Sequence, residues 1–214
     1  MCVNGIRVLL VDDHAVVRDG MRLMLSSAPD IEVAGEAETA QEALRITGEQ
    51  DFDVVLVDIN LPDKSGLDLL KSLREERPKL AVLILSMYSE EIYAVRALKH
   101  GAAGYLTKSC TAAMAVAAVR KAAAGGKYVS AAMADKLAGM IGGGAASGSH
   151  DLLSDRELEV LRLVATGESL VRIAEALHLS PSTVTTYRAR ILEKMGMKSN
   201  AELTRYAFEN DLLN

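Results

Sequence analysis

The chain has no tryptophan and only two phenylalanines, so its core must be built from aliphatic side chains, alanine and methionine rather than from stacked rings. Its two cysteines, Cys2 and Cys110, are too few for a disulfide framework and lack the neighbours of a metal or redox motif. No apolar run is long enough to span a bilayer, and no basic stretch followed by an apolar one opens the chain. A membrane partner and an export signal are therefore not expected; a cytoplasmic protein with reduced thiols is. Positive charge is also in deficit: 24 Lys and Arg against 29 Asp and Glu give a net charge of −5. That argues against indiscriminate coating of nucleic acid while leaving room for a local basic face.

Half of the 214 residues are apolar, enough for one large domain or two small ones. Up to about residue 124 the chain alternates strand and helix. Strands are predicted at 6–11, 31–36, 53–57, 80–85 and 104–106, and helices near 14–27, 38–48, 65–76, 89–100 and 110–124. In the third helix Leu69, Leu70 and Leu73 share one face while Lys71, Arg74 and Glu75 point away. Thr39 or Glu38 can open the second helix and Ser65 the third. Repeated βα units imply a parallel sheet with helices on both faces and right-handed crossovers.

Residues 139–150 are dominated by Gly, Ala and Ser and read as a flexible linker, with a short helix possible over 130–138. Beyond 151 strand signals vanish, and helices are predicted at 154–166, 169–177, 181–195 and 199–210. Ser154 with Glu157 forms a capping-box pattern, Gly167 ends the first of these helices, and Ser180-Pro181 opens the third. Leu158, Leu161, Val164, Ile173, Leu177, Val184, Ile191 and Leu192 would meet in a trihelical core. The division expected is 1–124, a connecting segment 125–150, and 151–214.

Asp58 ends the apolar run Val54-Val55-Leu56-Val57, and a charge at the carboxyl end of a buried strand is costly unless used or paired. The first strand stops at Asp12-Asp13 and the last at Lys108. If these strands are neighbours, carboxylates and one ammonium converge at one sheet edge, where open α/β sheets bind ligands; the carboxylates suit a hard cation.

The strings Val-Leu-Leu-Val-Asp-Asp-His, Val-Leu-Val-Asp-Ile-Asn-Leu-Pro-Asp-Lys-Ser-Gly, Leu-Ile-Leu-Ser and Gly-Tyr-Leu-Thr-Lys, in this order, resemble the receiver domain of bacterial two-component response regulators. The resemblance implies a flavodoxin-like (βα)5 fold. It implies Asp58 as phosphoacceptor, with Asp13, Asp58 and the carbonyl of Asn60 holding Mg²⁺ and Asp12 acting through water. Lys108 would meet the incoming phosphoryl oxygens, and Ser86 and Tyr105 would respond to the phosphoryl group by moving inward. Asn60 and Tyr88 flank the site and would influence the lifetime of the phosphoryl group, while His14 reads as a helix N-terminal residue. Many receivers follow the lysine with proline, whereas this chain has Ser109.

The strings Leu-Ser-Asp-Arg-Glu-Leu-Glu-Val-Leu from 153, Ile173-Ala174, and Leu-Ser-Pro-Ser-Thr-Val from 179 are similar to the LuxR-type helix-turn-helix, and the two halves together to the NarL/FixJ branch of response regulators. Residues 181–195 would then lie in the major groove of double-stranded DNA. Thr185, Thr186 and Ala189 would face base edges, and Thr183, Tyr187, Arg188 and Arg190 phosphates or flanking bases; Lys194 and Lys198 complete a local basic face. Many relatives have Lys at 185, His at 187 and Asn-Lys at 170–171, where this chain has Thr185, Tyr187, Leu170 and Val171. Weak monomer binding and dependence on dimerisation are expected.

The resemblance implies a transcription factor phosphorylated by a sensor histidine kinase, with Leu203, Tyr206 and Phe208 of the last helix as a candidate homodimer contact. Two alternatives belong beside it. Haloacid-dehalogenase-like phosphatases also use a strand-tip aspartate with Mg²⁺, but they need a second Asp two positions on, where this chain has Asn60, and they lack a helix-turn-helix. A pure interaction module would use the helical domain to bind protein instead of DNA.

Overall fold

Val8, Leu9, Leu10 and Val11 are buried on both sides of the chain, as befits a central parallel strand covered on both faces. The computed structural model describes residues 5–87, 90–130, 133–134, 149–210 and 212–213. The chain divides into two compact units, Met1–Ala138 and Gly139–Asn214.

The first unit holds five parallel strands, β1 (Ile6–Val11), β2 (Ile31–Ala37), β3 (Val54–Asp58), β4 (Ala81–Ser86) and β5 (Gly104–Thr107), in the order β2-β1-β3-β4-β5. The helices between and after them are α1 (Ala15–Leu25), α2 (Ala40–Glu49), α3 (Gly66–Glu76), α4 (Glu90–Lys99) and α5 (Ala112–Ala123). Each element arises where the pattern predicted it, with ends shifted by a residue or two. Alternate strand residues Val8, Leu10, Val54, Leu56, Leu83 and Leu106 pack with Leu25, Ala115 and Val119 from α1 and α5. Leu69, Leu70 and Leu73 of α3 are fully buried. Thr39 caps α2 by accepting from the Glu42 N–H, and Ser65 caps α3 by accepting from the Leu67 N–H.

After β1 the chain turns to one side to make β2, and β3 then starts the other side. The loops after β1 and β3 therefore diverge, and a crevice opens at the carboxyl ends of these two strands. The register puts Val11 opposite Val57, so the residues that follow β1 and those that end β3 lie side by side. Of the short helix expected over 130–138, Met133 and Ala134 are described, both helical. The expected linker lies outside the described residues except Ser149 and His150, which open a 3-10 turn, Ser149–Leu152.

The second unit comprises α6 (Asp155–Ala165), α7 (Leu170–Ala176), α8 (Pro181–Met195) and α9 (Asn200–Glu209). Ser154 and Glu157 form the reciprocal capping box, and Ser180 caps α8 with Pro181 in its first turn. Leu158, Leu161, Val164, Ile173, Leu177, Val184 and Ile191 are buried together with Leu203 and Ala207. Leu192 is only half-buried, because the inward line of α8 runs through Val184, Ile191 and Met195 and leaves Leu192 at its edge.

Candidate functional site

Asp58 and Asp12 are each 2% exposed. Burying two carboxylates side by side requires a cation, and Lys108 supplies it: its Nζ lies 2.7 Å from Asp12 Oδ2 and 2.9 Å from Asp58 Oδ2. The Lys108 N–H donates to the Ser86 carbonyl at 2.7 Å, so the lysine is set by the end of β4 as well as by its own strand. Asp12 Oδ1 accepts from the His14 N–H at 2.9 Å, which fixes the turn into α1. His14 is the N-cap residue of α1, and its Nδ1 lies 2.7 Å from Asp13 Oδ1. One ligand atom from each of Asp12, Asp13, His14 and Asp58 falls within 4.8 Å of the others. Hard carboxylate oxygens at this spacing suit a divalent cation bound by oxygen.

The electrostatics are those of a site short of positive charge. Burial, opposed by Lys108 and reinforced by Asp12, pushes the Asp58 carboxyl up to about 6. Burial pulls the Lys108 ammonium down, but Asp58 and Asp12 outweigh it and hold the group above its ordinary value. The Cys110 thiol, buried nearby in sequence, is pushed up by burial, as an inert thiol would be.

Asn60 is half-buried beside this cluster and pairs with Ser65 in an isolated bridge. Ser86 is fully buried at the end of β4, and Tyr105 on β5 is 3% exposed, opposite Ile84. Tyr88 lies outside the described residues.

Two residues that support the site from behind escaped sequence reasoning. Gly66 donates its N–H to the Ile59 carbonyl at 2.7 Å, and a Cβ there would sit 2.0 Å from the Asp58 carbonyl oxygen. Any side chain would push α3 away from the strand tip. Arg18, on the inner face of α1 with Met21 and Leu25, donates from Nη1 to the Asp12 carbonyl at 2.6 Å. A cation on an apolar helix stripe was the available signal.

On α8 the residues expected at base edges, Thr185, Thr186 and Ala189, are exposed, as is Arg190; Thr183, Tyr187 and Arg188 are half-buried. The Thr185 and Thr186 hydroxyls donate back to the Pro181 and Ser182 carbonyls at 2.9 and 3.1 Å. Arg188 Nε donates to Asn200 Oδ1 at 2.5 Å. Lys194 is not a free member of a basic face: its Nζ lies 2.7 Å from Oε2 of the buried Glu157. Burial would raise the Glu157 carboxyl, but Lys194 and Ser154 together hold it below the usual carboxylate range. Lys198 is exposed. Val171 is 56% exposed and Leu170 half-buried. Of the residues expected at a dimer contact, Leu203 is in the core, Tyr206 is bound through its hydroxyl to His150, and Phe208 is 75% exposed.

Comparison with known proteins finds a family match for each half of the chain. Residues 8–120 match the model of the response regulator receiver domain, and residues 151–207 that of the luxR family of bacterial regulatory proteins. The chain is 38% identical over 208 residues to the transcriptional regulatory protein MctR of Rhizobium johnstonii, covering 97% of this chain and 95% of that protein. It is 36% identical over 209 residues to the response regulator GacA of Pseudomonas viridiflava, covering 97% and 98%. Among solved structures it is similar to RcsB of Salmonella enterica serovar Typhimurium bound to a promoter in the presence of the phosphomimetic BeF3−, with 28% identity, a TM-score of 0.63, and 95% and 98% of the two chains covered. With each half matched in turn and the relatives spanning nearly its whole length, the chain belongs to the NarL/FixJ family of two-component response regulators, a receiver domain joined to a LuxR-type DNA-binding domain.

Proposed function

We propose that Asp58 accepts a phosphoryl group from a sensor histidine kinase and that the modification controls dimerisation and sequence-specific DNA binding by residues 151–214. The observation that carries this reading is the Lys108 ammonium shared between the two buried carboxylates of Asp12 and Asp58 at 2.7 and 2.9 Å. A carboxylate attacking phosphorus must approach negative oxygens, and that encounter requires positive charge already in place. Asp13, Asp58 and the carbonyl of Asn60 would hold Mg²⁺, with Asp12 acting through water; the carboxylate spacing supports this set. The ion, when bound, neutralises phosphoryl oxygens.

Each residue then has a task. Asp58 must be ionised to attack, which Lys108 favours. Lys108 can exchange its carboxylate partners for a phosphoryl oxygen without leaving the site. Ser86 donates a hydrogen bond to the phosphoryl group and Tyr105 changes rotamer with it, so that the added charge draws both inward and shifts the population between two arrangements. The repacked face comprises α4, β5 and α5. Autophosphorylation from small phosphodonors and hydrolysis of the phospho-Asp58 follow from the same groups, so the receiver assists its own chemistry without being an enzyme with a separate substrate.

In the second half, Thr185, Thr186 and Ala189 would read base edges while Thr183, Tyr187, Arg188, Arg190 and Lys198 contact phosphates or flanking bases. The pairing of Lys194 with Glu157 makes Lys194 a weaker candidate. Segment 125–150 would link the two halves, and a cytoplasmic location fits a kinase partner and a DNA target; no described helix is long and apolar enough to cross a membrane. The test is intact mass after incubation with acetyl phosphate and Mg²⁺. One added phosphoryl group on the parent and none on Asp58→Ala is expected. No adduct on folded parent protein, with a control for rapid hydrolysis, would sink the phosphoacceptor role.

A further inference from the structure

The loop that carries Asp12 and Asp13 and the loop that carries Asn60 come from different strands, yet both are tied to the entry into α2. Arg18 makes the first tie. Its side chain is about one-tenth exposed; Nη1 donates to the Asp12 carbonyl at 2.6 Å, Nε to Glu36 Oε2 at 3.0 Å and Nη2 to Glu38 Oε1 at 2.8 Å. Glu36 lies on β2, is paired a second time by Arg22, and stands opposite Leu10 in the sheet; Glu38 lies just before the α2 cap. Asp63 makes the second tie. From the β3–α3 loop its two carboxylate oxygens accept the N–H groups of Ala40 and Gln41, each at 2.9 Å. These are orphan donors of the first turn of α2, capped from another loop, and the negative charge sits at the positive end of the helix.

Resting on the metal reading above, we infer that Arg18 and Asp63 are positioning residues that bracket the metal site from both sides. Neither would offer an atom to the ion. Arg18 holds the backbone of Asp12 from behind and so sets where the Asp12 and Asp13 carboxylates point. Asp63 holds the loop three residues beyond Asn60 and so sets its carbonyl. The stretch from Glu36 to Gln41 is the common post to which both are fastened. A guanidinium is required at 18 because three acceptors in three directions need its planar fork, which an ammonium cannot match.

The test is a Mg²⁺ titration of the full chain, read by amide chemical shifts at the site and, separately, by the rate of phosphorylation with acetyl phosphate. Parent, Arg18→Lys, Arg18→Met and Asp63→Asn are compared. Groups that orient metal ligands typically change metal affinity about 10-fold or more when removed. The expected result is a rise of about that size in the Mg²⁺ concentration for half-saturation in Arg18→Met and Asp63→Asn, a smaller rise in Arg18→Lys, and a rate at saturating Mg²⁺ close to that of the parent. A residue serving only to stabilise the fold would lower the melting temperature and leave half-saturation where it was. Should Arg18→Met fail to fold, Arg18→Lys and Asp63→Asn decide the matter. Parent-like half-saturation in every folded variant would overturn the bracket alone. A parent that binds no Mg²⁺ would overturn the metal reading and the bracket with it.

Discussion

Asp58 carries its charge in a place unsuited to it, and that misfit is measurable as stability. Its carboxyl is pushed up to about 6, whereas in the unfolded chain it returns to its ordinary value near 3.8. The folded state therefore binds a proton that the unfolded state has released. The resulting stability is fully present below the unfolded value and is lost as pH rises through about 6, a loss on the order of 3 kcal/mol by pH 7.5. Urea unfolding of the metal-free protein is expected to show this decline between about pH 4 and 6.5 and to level off above it. Asp58→Asn, which has no proton to lose, should be flatter across that window and more stable than the parent at pH 7.5. Mg²⁺ should restore stability to the parent at pH 7.5 and do little for Asp58→Asn. If the two proteins share one pH profile, Lys108 compensates Asp58 fully and the site is not poised as described.

At the scale of elements, the turn between α7 and α8 contains a strained residue that sequence pattern does not reveal. His178 has φ +52°, in the left-handed region, and its side chain is exposed. That conformation costs a non-glycine residue about 1–2 kcal/mol, and β-branched residues suffer most. His178→Gly relieves the cost but loosens the unfolded chain, so stability should be unchanged or raised by up to about 1 kcal/mol. His178→Val should lower it by at least about 1 kcal/mol, read from urea midpoints. Equal midpoints for Val and His would mean that the turn relaxes. The strands, the helix starts at Thr39, Ser65, Ser154 and Ser180, and the convergence of Asp12, Asp58 and Lys108 were legible because each depends on local pattern or on strand ends being neighbours. Long-range polar partners were not. Nothing in spacing tells that Lys194 meets Glu157 across 37 positions, that Arg188 meets Asn200, or that Asp63 caps α2. Those choices are made by tertiary packing, after the helices exist.

For the whole molecule, the pairing of Lys194 with Glu157 changes how a protein of net charge −5 can hold DNA. With Lys194 neutralised by Glu157, the cationic charge left along α8 and the turn after it is that of Arg188, which the neutral Asn200 holds in place, and of the exposed Arg190 and Lys198. A single unit with so few phosphate contacts should bind weakly and with a shallow salt dependence, because each contact contributes about −0.9 to the slope of log K against log salt. Under the proposed function, two units brought together by phosphorylation would double the contacts and add avidity. Anisotropy titrations of the full chain over a range of salt concentrations should therefore give a slope about twice as steep with phosphorylated as with unphosphorylated protein. Arg190→Ala should flatten the slope by about 1 per bound unit. Lys194→Ala should leave the slope nearly unchanged while lowering the melting temperature, since it strands the buried Glu157 carboxylate. If Lys194→Ala instead flattens the slope as much as Arg190→Ala, then Lys194 leaves Glu157 for a phosphate on binding, and the capping box at Ser154 must give up its cation each time DNA is engaged.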